Sequence, residues 1–301
     1  MCIRDRSGGT DAIDWTSTGT STADTLTGLS LTEGLTYYLS TRATDAAGNV
    51  SDIVTGDGIT IDLTAPAGTT VSDGTSDDIS YTGSDSTLSA NWAAFTEVVS
   101  GIARYEYAIG TSSGGTDIVT WTDNSTTTSI TKTGLSLISG TTYYLSVRAT
   151  DVAGNVSTTV TSDGVIVDTA APVAGTIIDG TETDIDWTNS TSALAATWSG
   201  FSDTLSGIQT YEYAIGTTSG GTEIVDWTDS SADTEVLTLT NGTTYYVSVR
   251  ATDYAGNVST TATSDGITVD TDAPTISSAL EGVVASANYS LSFDGVDDYA
   301  I

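Results

Sequence analysis

Apolar and polar residues alternate along many short segments of this chain. In Tyr143–Thr150, apolar or aromatic side chains occupy every second position from Tyr143 onward. The same alternation runs through Leu88–Trp92 and Tyr105–Ile109. A period of two indicates a half-buried β-strand, and no segment shows the i, i+3, i+4, i+7 spacing of an amphipathic helix. The pattern therefore predicts an all-β fold.

Long stretches of the sequence recur along the chain. TYYLSTRATDAAGNVS at Thr36–Ser51 returns as TYYLSVRATDVAGNVS at Thr142–Ser157 and as TYYVSVRATDYAGNVS at Thr244–Ser259, at offsets of 106 and 102 residues. Such a repeat indicates tandem copies of one structural unit. About seven short strands per ~100 residues, separated by turns rich in Gly, Asp, Asn and Ser, are typical of a β-sandwich.

The order of aromatic residues within one repeat resembles that of a fibronectin type III domain. Trp92 is followed by Tyr105–Tyr107 and then by Leu135–Ala149. The resemblance implies that these segments form strands B, C and F. It also implies tyrosine-corner positions at Tyr37, Tyr143 and Tyr245. The DxAGNVS and VDTxAP motifs are similar to those of tandem Ig-like and fibronectin-like repeats in large bacterial surface and secreted proteins.

The repeats predict how the chain is organised. MCIRDR at residues 1–6 matches nothing at the equivalent positions of the next repeat, and we interpret it as a non-native, adaptor-like leader. Residues 7–66 would be the C-terminal half of a truncated repeat, and 67–172 and 173–274 would be complete repeats. Residues 275–301 would hold a linker and, at YSLSFDGVDDYAI, a segment that resembles the first strands of a laminin-G or concanavalin-like domain.

Composition excludes several classes of function. The 39 acidic and 7 basic residues give a net charge of −32, which disfavours binding to nucleic acid or to anionic membrane surfaces. The chain has no His and one Cys, so His-based catalysis and zinc sites built from Cys or His are excluded. No apolar run is long enough to span a membrane. Because the acidic residues recur from repeat to repeat, we predict that this part of the protein is not an enzyme.

Three acidic residues should converge at each junction between repeats. In a fibronectin-like sandwich the B–C and F–G loops lie at the end where the preceding domain finishes. Crowded carboxylates repel one another unless a cation lies among them, and their hard oxygens suit Ca²⁺. Two hypotheses follow, calcium ions that stiffen the junctions or solvated loop acids in an acidic protein. The candidate calcium ligands are Asp62, Glu97 and Asp151 at the first junction and Asp168, Asp203 and Asp253 at the second.

Two further groups of residues favour structural roles. Asp73, Asp77 and Asp78, matched by Asp179, Glu182 and Asp184, lie next to glycines and are interpreted as turn formers in preference to ion ligands. Trp121 and Trp227 could stack on sugar rings, but we favour their covering the edge of the sandwich as part of the core.

The sequence predicts a non-catalytic role outside the cell. The repeats would be spacer or adhesion modules of a large extracellular or surface-attached bacterial protein, with an extracellular protein or polysaccharide as the partner. The alternative is that they are accessory modules of a secreted polysaccharide-degrading enzyme whose catalytic domain lies elsewhere in the chain.

Overall fold

The computed structural model describes residues 1–5, 12–230 and 237–275. All the secondary-structure elements in these ranges are β-strands, so the predicted all-β class is confirmed. The chain divides into two units, Met1–Thr169 and Ala170–Ile301. The strands of the first unit are β1 (Cys2–Arg4), β2 (Thr36–Thr41), β3 (Val54–Thr55), β4 (Ile59–Thr60), β5 (Val71–Asp73), β6 (Tyr81–Thr82), β7 (Thr87–Trp92), β8 (Ile102–Gly110), β9 (Val119–Asp123), β10 (Ser129–Thr133), β11 (Thr142–Asp151), β12 (Val160–Thr161) and β13 (Val165–Val167).

Strands β5 to β13 form two sheets. One has the order β10-β7-β5, and the other has the order β6-β13-β11-β8-β9, with β12 paired to β11. All of these pairs are antiparallel except β6 with β13, which run parallel. A three-stranded sheet and a six-stranded sheet, in which β6 and β12 are only two residues long, give the predicted fibronectin type III-like sandwich.

The core lies between these two sheets and follows the alternation seen in the sequence. Tyr143, Leu145 and Val147 of β11 are fully buried, and they pack in one cluster with Trp92 of β7. The Tyr105 ring meets Trp92 edge-on, with ring centroids 5.8 Å apart. Burial of such large side chains is the main term that stabilises the sandwich.

A buried tyrosine holds the turn before the central strand. The hydroxyl oxygen of Tyr143 accepts a hydrogen bond of 2.9 Å from the backbone N–H of Ile138. This is the contact expected at the tyrosine-corner position. It recurs in the other two copies of the repeat, from Thr32 to Tyr37 at 3.0 Å and from Thr240 to Tyr245 at 2.9 Å.

The first copy of the repeat forms a smaller sheet of order β1-β2-β3, with β4 also paired to β2. That residues 1–6 are a non-native leader stays a prediction. Within them, β1 pairs with β2 in the register Cys2 to Ser40. The strand β8 holds the same position beside β11, where Ala108 pairs with Ser146. Residues 2–4 therefore complete the edge that strand C supplies in the next repeat.

The second unit repeats this architecture. Its strands are β14 (Thr176–Asp179), β15 (Trp187–Thr188), β16 (Ala196–Ser199), β17 (Ile208–Gly216), β18 (Val225–Asp229), β19 (Thr244–Asp253), β20 (Ala262–Thr263) and β21 (Ile267–Val269). They form a pair, β14-β16, and a larger sheet of order β15-β21-β19-β17-β18 with β20 paired to β19. Tyr245, Val249 and Phe201 belong to the core of this unit.

The division after Thr169 lies close to the predicted boundary at residue 172. The predicted boundary at residue 66 lies within the first unit, and the limits of the individual repeats stay predictions. The segment that resembles a laminin-G domain lies outside the described residues. None of the residues described forms a helix long and apolar enough to cross a membrane.

Candidate metal centre

Asp62, Glu97 and Asp151 come together in the first unit. One carboxylate oxygen from each lies within 4.8 Å of the others. Asp62 follows β4, Glu97 lies in the loop between β7 and β8, and Asp151 is the last residue of β11. These are the loops that the sandwich topology was expected to bring to one end, and we name this group the junction cluster.

Backbone hydrogen bonds fix the carboxylates of the junction cluster. Asp151 Oδ1 accepts from the N–H groups of Gly154 and Asn155 at 2.7 and 2.8 Å, and its Oδ2 accepts from Asn155 Nδ2 at 2.8 Å. Burial alone would raise the pKa of Asp151, but these hydrogen bonds together outweigh it and lower the pKa below its ordinary value. The Asp151 carboxylate is therefore held ionised and in a fixed orientation.

The same amide group also reaches the end of the first repeat. Asn155 Nδ2 donates to the backbone carbonyl of Asp62 at 3.2 Å. Glu97 Oε1 accepts from the N–H of Val99 at 2.6 Å. The loop that carries Asp151 is thus tied directly to the segment that carries Asp62.

One oxygen of the junction cluster lacks a partner. Asp62 is 8% exposed, and its Oδ1 accepts from Thr64 N–H at 3.2 Å. Its Oδ2 is buried and has no hydrogen-bond partner. Leaving such a group unpaired is costly, and two like charges about 5 Å apart repel by roughly 3 kcal/mol at an effective dielectric constant of 20. A divalent cation coordinated by Asp62 Oδ2 would remove both penalties, so the residues present fit Ca²⁺.

The other three candidate ligands belong to two different units. Asp168 follows β13 at the end of the first unit and is fully buried. In the second unit, Asp203 Oδ1 accepts from the N–H groups of Leu205, Ser206 and Gly207 at 2.8–3.0 Å. The loop after β19 repeats the Asp151 loop, because Asp253 Oδ2 accepts from Asn257 Nδ2 at 2.9 Å. A shared ion at these residues stays a prediction.

The structure also shows two further acidic clusters, each with one member that the sequence interpretation missed. Asp73 and Asp78 lie together with Asp163, and Asp179 and Asp184 lie together with Asp265, each set within 4.8 Å. Asp77 and Glu182, which the sequence interpretation grouped with them, belong to neither set. The signal for Asp163 and Asp265 is the recurrent Ser-Asp-Gly at residues 162–164 and 264–266. We name these two sets the edge clusters.

The two tryptophans beyond strand C are half-buried and lie under arginines. The guanidinium carbon of Arg148 lies 4.3 Å from the ring centroid of Trp121, and Arg250 lies 4.3 Å from that of Trp227. Arg148 Nε also contacts Glu106 Oε2 at 3.0 Å. The rings therefore cover the outer surface of the sheet beneath a cation, which differs from the core position that the sequence suggested.

The chain is similar to parts of two longer proteins. The chain is 35% identical over 274 residues to Exoglucanase B of Cellulomonas fimi, covering 86% of this chain and 22% of that protein. It is 34% identical over 154 residues to Chitinase A1 of Niallia circulans, covering 50% of this chain and 20% of that protein. The chain thus spans about a fifth of the length of the curated relatives it matches. No family model matches the chain.

Among solved structures, the chain is similar to the FN1–FN3 domains of chicken CNTN1. The identity is 17% and the TM-score is 0.41, with 80% of this chain and 77% of that chain covered.

Proposed function

We propose that this chain is a tandem array of non-catalytic spacer modules in a secreted, modular polysaccharide-degrading enzyme. The observation that carries the proposal is the 35% identity to Exoglucanase B, which extends over 86% of this chain but only 22% of that protein. A match that covers the repeats and leaves most of the enzyme unmatched is expected if the repeats accompany a catalytic domain. The partner would then be a polysaccharide, and the location extracellular.

Repetition of the acidic groups supports a structural role. A catalytic site requires a single constellation around one substrate, whereas the loop that holds Asp151 recurs around Asp253 with the same hydrogen bonds. A loop that is repeated in successive repeats favours a structural role at each junction between them. Adhesion and the laminin-G-like continuation remain predictions about the longer protein.

The proposal includes calcium at the junctions. An ion held by Asp62, Glu97 and Asp151 would bind residues from the end of one repeat and from two loops of the next, and so would stiffen the joint between them. The same role is proposed for Asp168, Asp203 and Asp253 at the second junction. A stiff joint keeps domains on either side of the array at a fixed separation.

The contiguous reading frame tests the enzyme context. We expect it to encode a glycoside hydrolase domain beside the repeats. A frame that contains only further repeats and a cell-wall sorting signal would instead favour the adhesion role. Assays of the 301-residue chain on soluble cellulose and chitin oligosaccharides should show no hydrolysis, and measurable turnover would contradict a spacer role.

A matched pair of variants tests the junction calcium. Asp45 occupies the repeat position of Asp151 and accepts the same hydrogen bonds from Asn49, but it belongs to no acidic cluster among the described residues. Asp151→Asn should abolish part of the rise in melting temperature caused by calcium, whereas Asp45→Asn should leave that rise unchanged. Equal melting of the wild-type chain in calcium and in chelator would refute the junction site.

A further inference from the structure

The edge clusters lie where the two sheets of each sandwich meet. Asp73 is the last residue of the edge strand β5, Asp78 lies in the turn that follows, and Asp163 lies in the turn between β12 and β13. The second unit places Asp179, Asp184 and Asp265 in the same three positions; each set holds its carboxylate oxygens within 4.8 Å.

A fully buried carboxylate stands at the centre of each edge cluster. Asp73 Oδ2 accepts from the backbone N–H of Gly164 at 3.0 Å, and the Ser162 hydroxyl also hydrogen-bonds this carboxylate. Its other oxygen, Oδ1, is buried without a hydrogen-bond partner. A free, buried carboxylate oxygen beside two further carboxylates points to a ligand that supplies positive charge.

The second unit shows the same arrangement independently. Asp179 is fully buried, its Oδ2 accepts from Gly266 N–H at 3.0 Å, and its Oδ1 has no partner. The same carboxylate oxygen, Oδ1, is thus buried without a partner in both repeats, so this feature belongs to the edge cluster itself.

Turn formation explains only part of this geometry. Asp78 Oδ1 accepts from Asp73 N–H at 2.8 Å, which accounts for Asp78 as a turn residue. It does not account for the burial of the Asp73 carboxylate or for the proximity of Asp163, which is 90 residues away in sequence.

No basic side chain of the second unit is available to neutralise its edge cluster. Arg250 is the only Lys or Arg after Thr169. Its Nε contacts Glu212 Oε2 at 2.8 Å, and its guanidinium covers Trp227. In the first unit, burial and, to a smaller extent, the charges of Asp78 and Asp163 together raise the pKa of Asp73 to about 6. Within the second unit, no basic side chain therefore compensates the negative charge of its edge cluster.

We propose that each complete repeat binds a divalent cation at its edge cluster, with calcium as the expected ion. The donors are carboxylate oxygens, which suit Ca²⁺, and waters can fill the remaining positions. Asp184 and Asp265 line an open depression of about 390 Å³. The bound ion would join β5 to the β12–β13 turn and so link the two sheets of one sandwich, in contrast to an ion that links successive repeats.

The site is independent of the proposed function, and the experiment separates the two. Calcium titration calorimetry is performed on the full chain carrying Asp151→Asn and Asp253→Asn, which removes the proposed junction ions. We expect about two calcium ions to bind per chain in this background. Absence of binding there would overturn the edge sites and leave the junction proposal intact.

Adding Asp163→Asn and Asp265→Asn should then lower the affinity at least tenfold. Both residues are exposed and lie at the rim of the cluster, so the fold should survive, as far-ultraviolet circular dichroism can verify. Asp57 occupies the same repeat position as Asp163 but belongs to no cluster among the described residues. Asp57→Asn should therefore leave calcium binding unchanged. Binding that survives Asp163→Asn and Asp265→Asn, or that Asp57→Asn removes, would refute the assignment.

Discussion

Tyr143→Phe tests how the central strand of the sandwich is held. The substitution removes one oxygen and leaves the buried ring in place, so the packing around it is unchanged. The lost atom is the acceptor for Ile138 N–H at 2.9 Å. Loss of a hydrogen bond costs about 1 kcal/mol, and a buried N–H left without an acceptor costs up to ~3 kcal/mol.

The surroundings of the Ile138 N–H narrow the expected loss of unfolding free energy. The Ile138 residue is 68% exposed, so water can reach part of the freed N–H. We therefore expect a loss of about 1–2 kcal/mol in the free energy of unfolding. For a module of this size, that corresponds to a fall in melting temperature of roughly 5–10 °C.

The measurement is a guanidinium unfolding curve, supported by calorimetry. The midpoint should fall while the slope m stays constant, because the surface exposed on unfolding does not change. Tyr144→Phe is the matched control, since Tyr144 is the neighbouring residue on the other face of β11. Tyr245→Phe should reproduce the effect in the second unit, where Thr240 N–H is the donor. The reasoning fails if Tyr143→Phe destabilises no more than Tyr144→Phe.

Three further predictions concern the surface and the turns. Arg148→Ala should uncover the Trp121 ring and shift its fluorescence to longer wavelength, whereas no shift would mean that the guanidinium does not shield the ring. The pKa of Asp117 is lowered by hydrogen bonds from the backbone and side chain of Thr111. Its stabilising contribution should therefore be present above pH ~4 and be lost as the pH falls through the folded-state pKa; an ordinary pKa in an NMR titration would contradict this. Gly164→Ala should destabilise the fold by more than 1 kcal/mol, since φ is +101° and the added Cβ would lie 2.8 Å from Thr142 and Tyr144 side-chain atoms; a neutral result in thermal unfolding would contradict it.

The sandwich could be predicted from the sequence because the patterns that specify it are local. Alternation along β11 and β7 places Leu145 and Trp92 in the core, and the recurrent aromatic order correctly predicts the turn contact of Tyr143. The convergence of Glu97 and Asp151 followed from topology, since both lie in loops at the same end of the sheets.

The edge clusters depend on contacts that no local pattern contains. Asp163 lies in a Ser-Asp-Gly turn whose composition is explained by turn chemistry alone. Its partner Asp73 is brought beside it only when β5 and β13 fold onto the same sandwich. The position of Trp121 was missed for the same reason, because Arg148, which covers it, lies on another strand.

The parallel pairing of β6 with β13 has a mechanical consequence. Two backbone hydrogen bonds of 2.9 Å lie side by side along this pair. One runs from Ile166 N–H to Ser80 O and the other from Asp168 N–H to Thr82 O. Because the strands run parallel, a force that pulls β6 toward the start of the chain and β13 toward its end would load these bonds in shear, and they would rupture together. Strands pulled apart from one end would instead lose their bonds one at a time, at lower force.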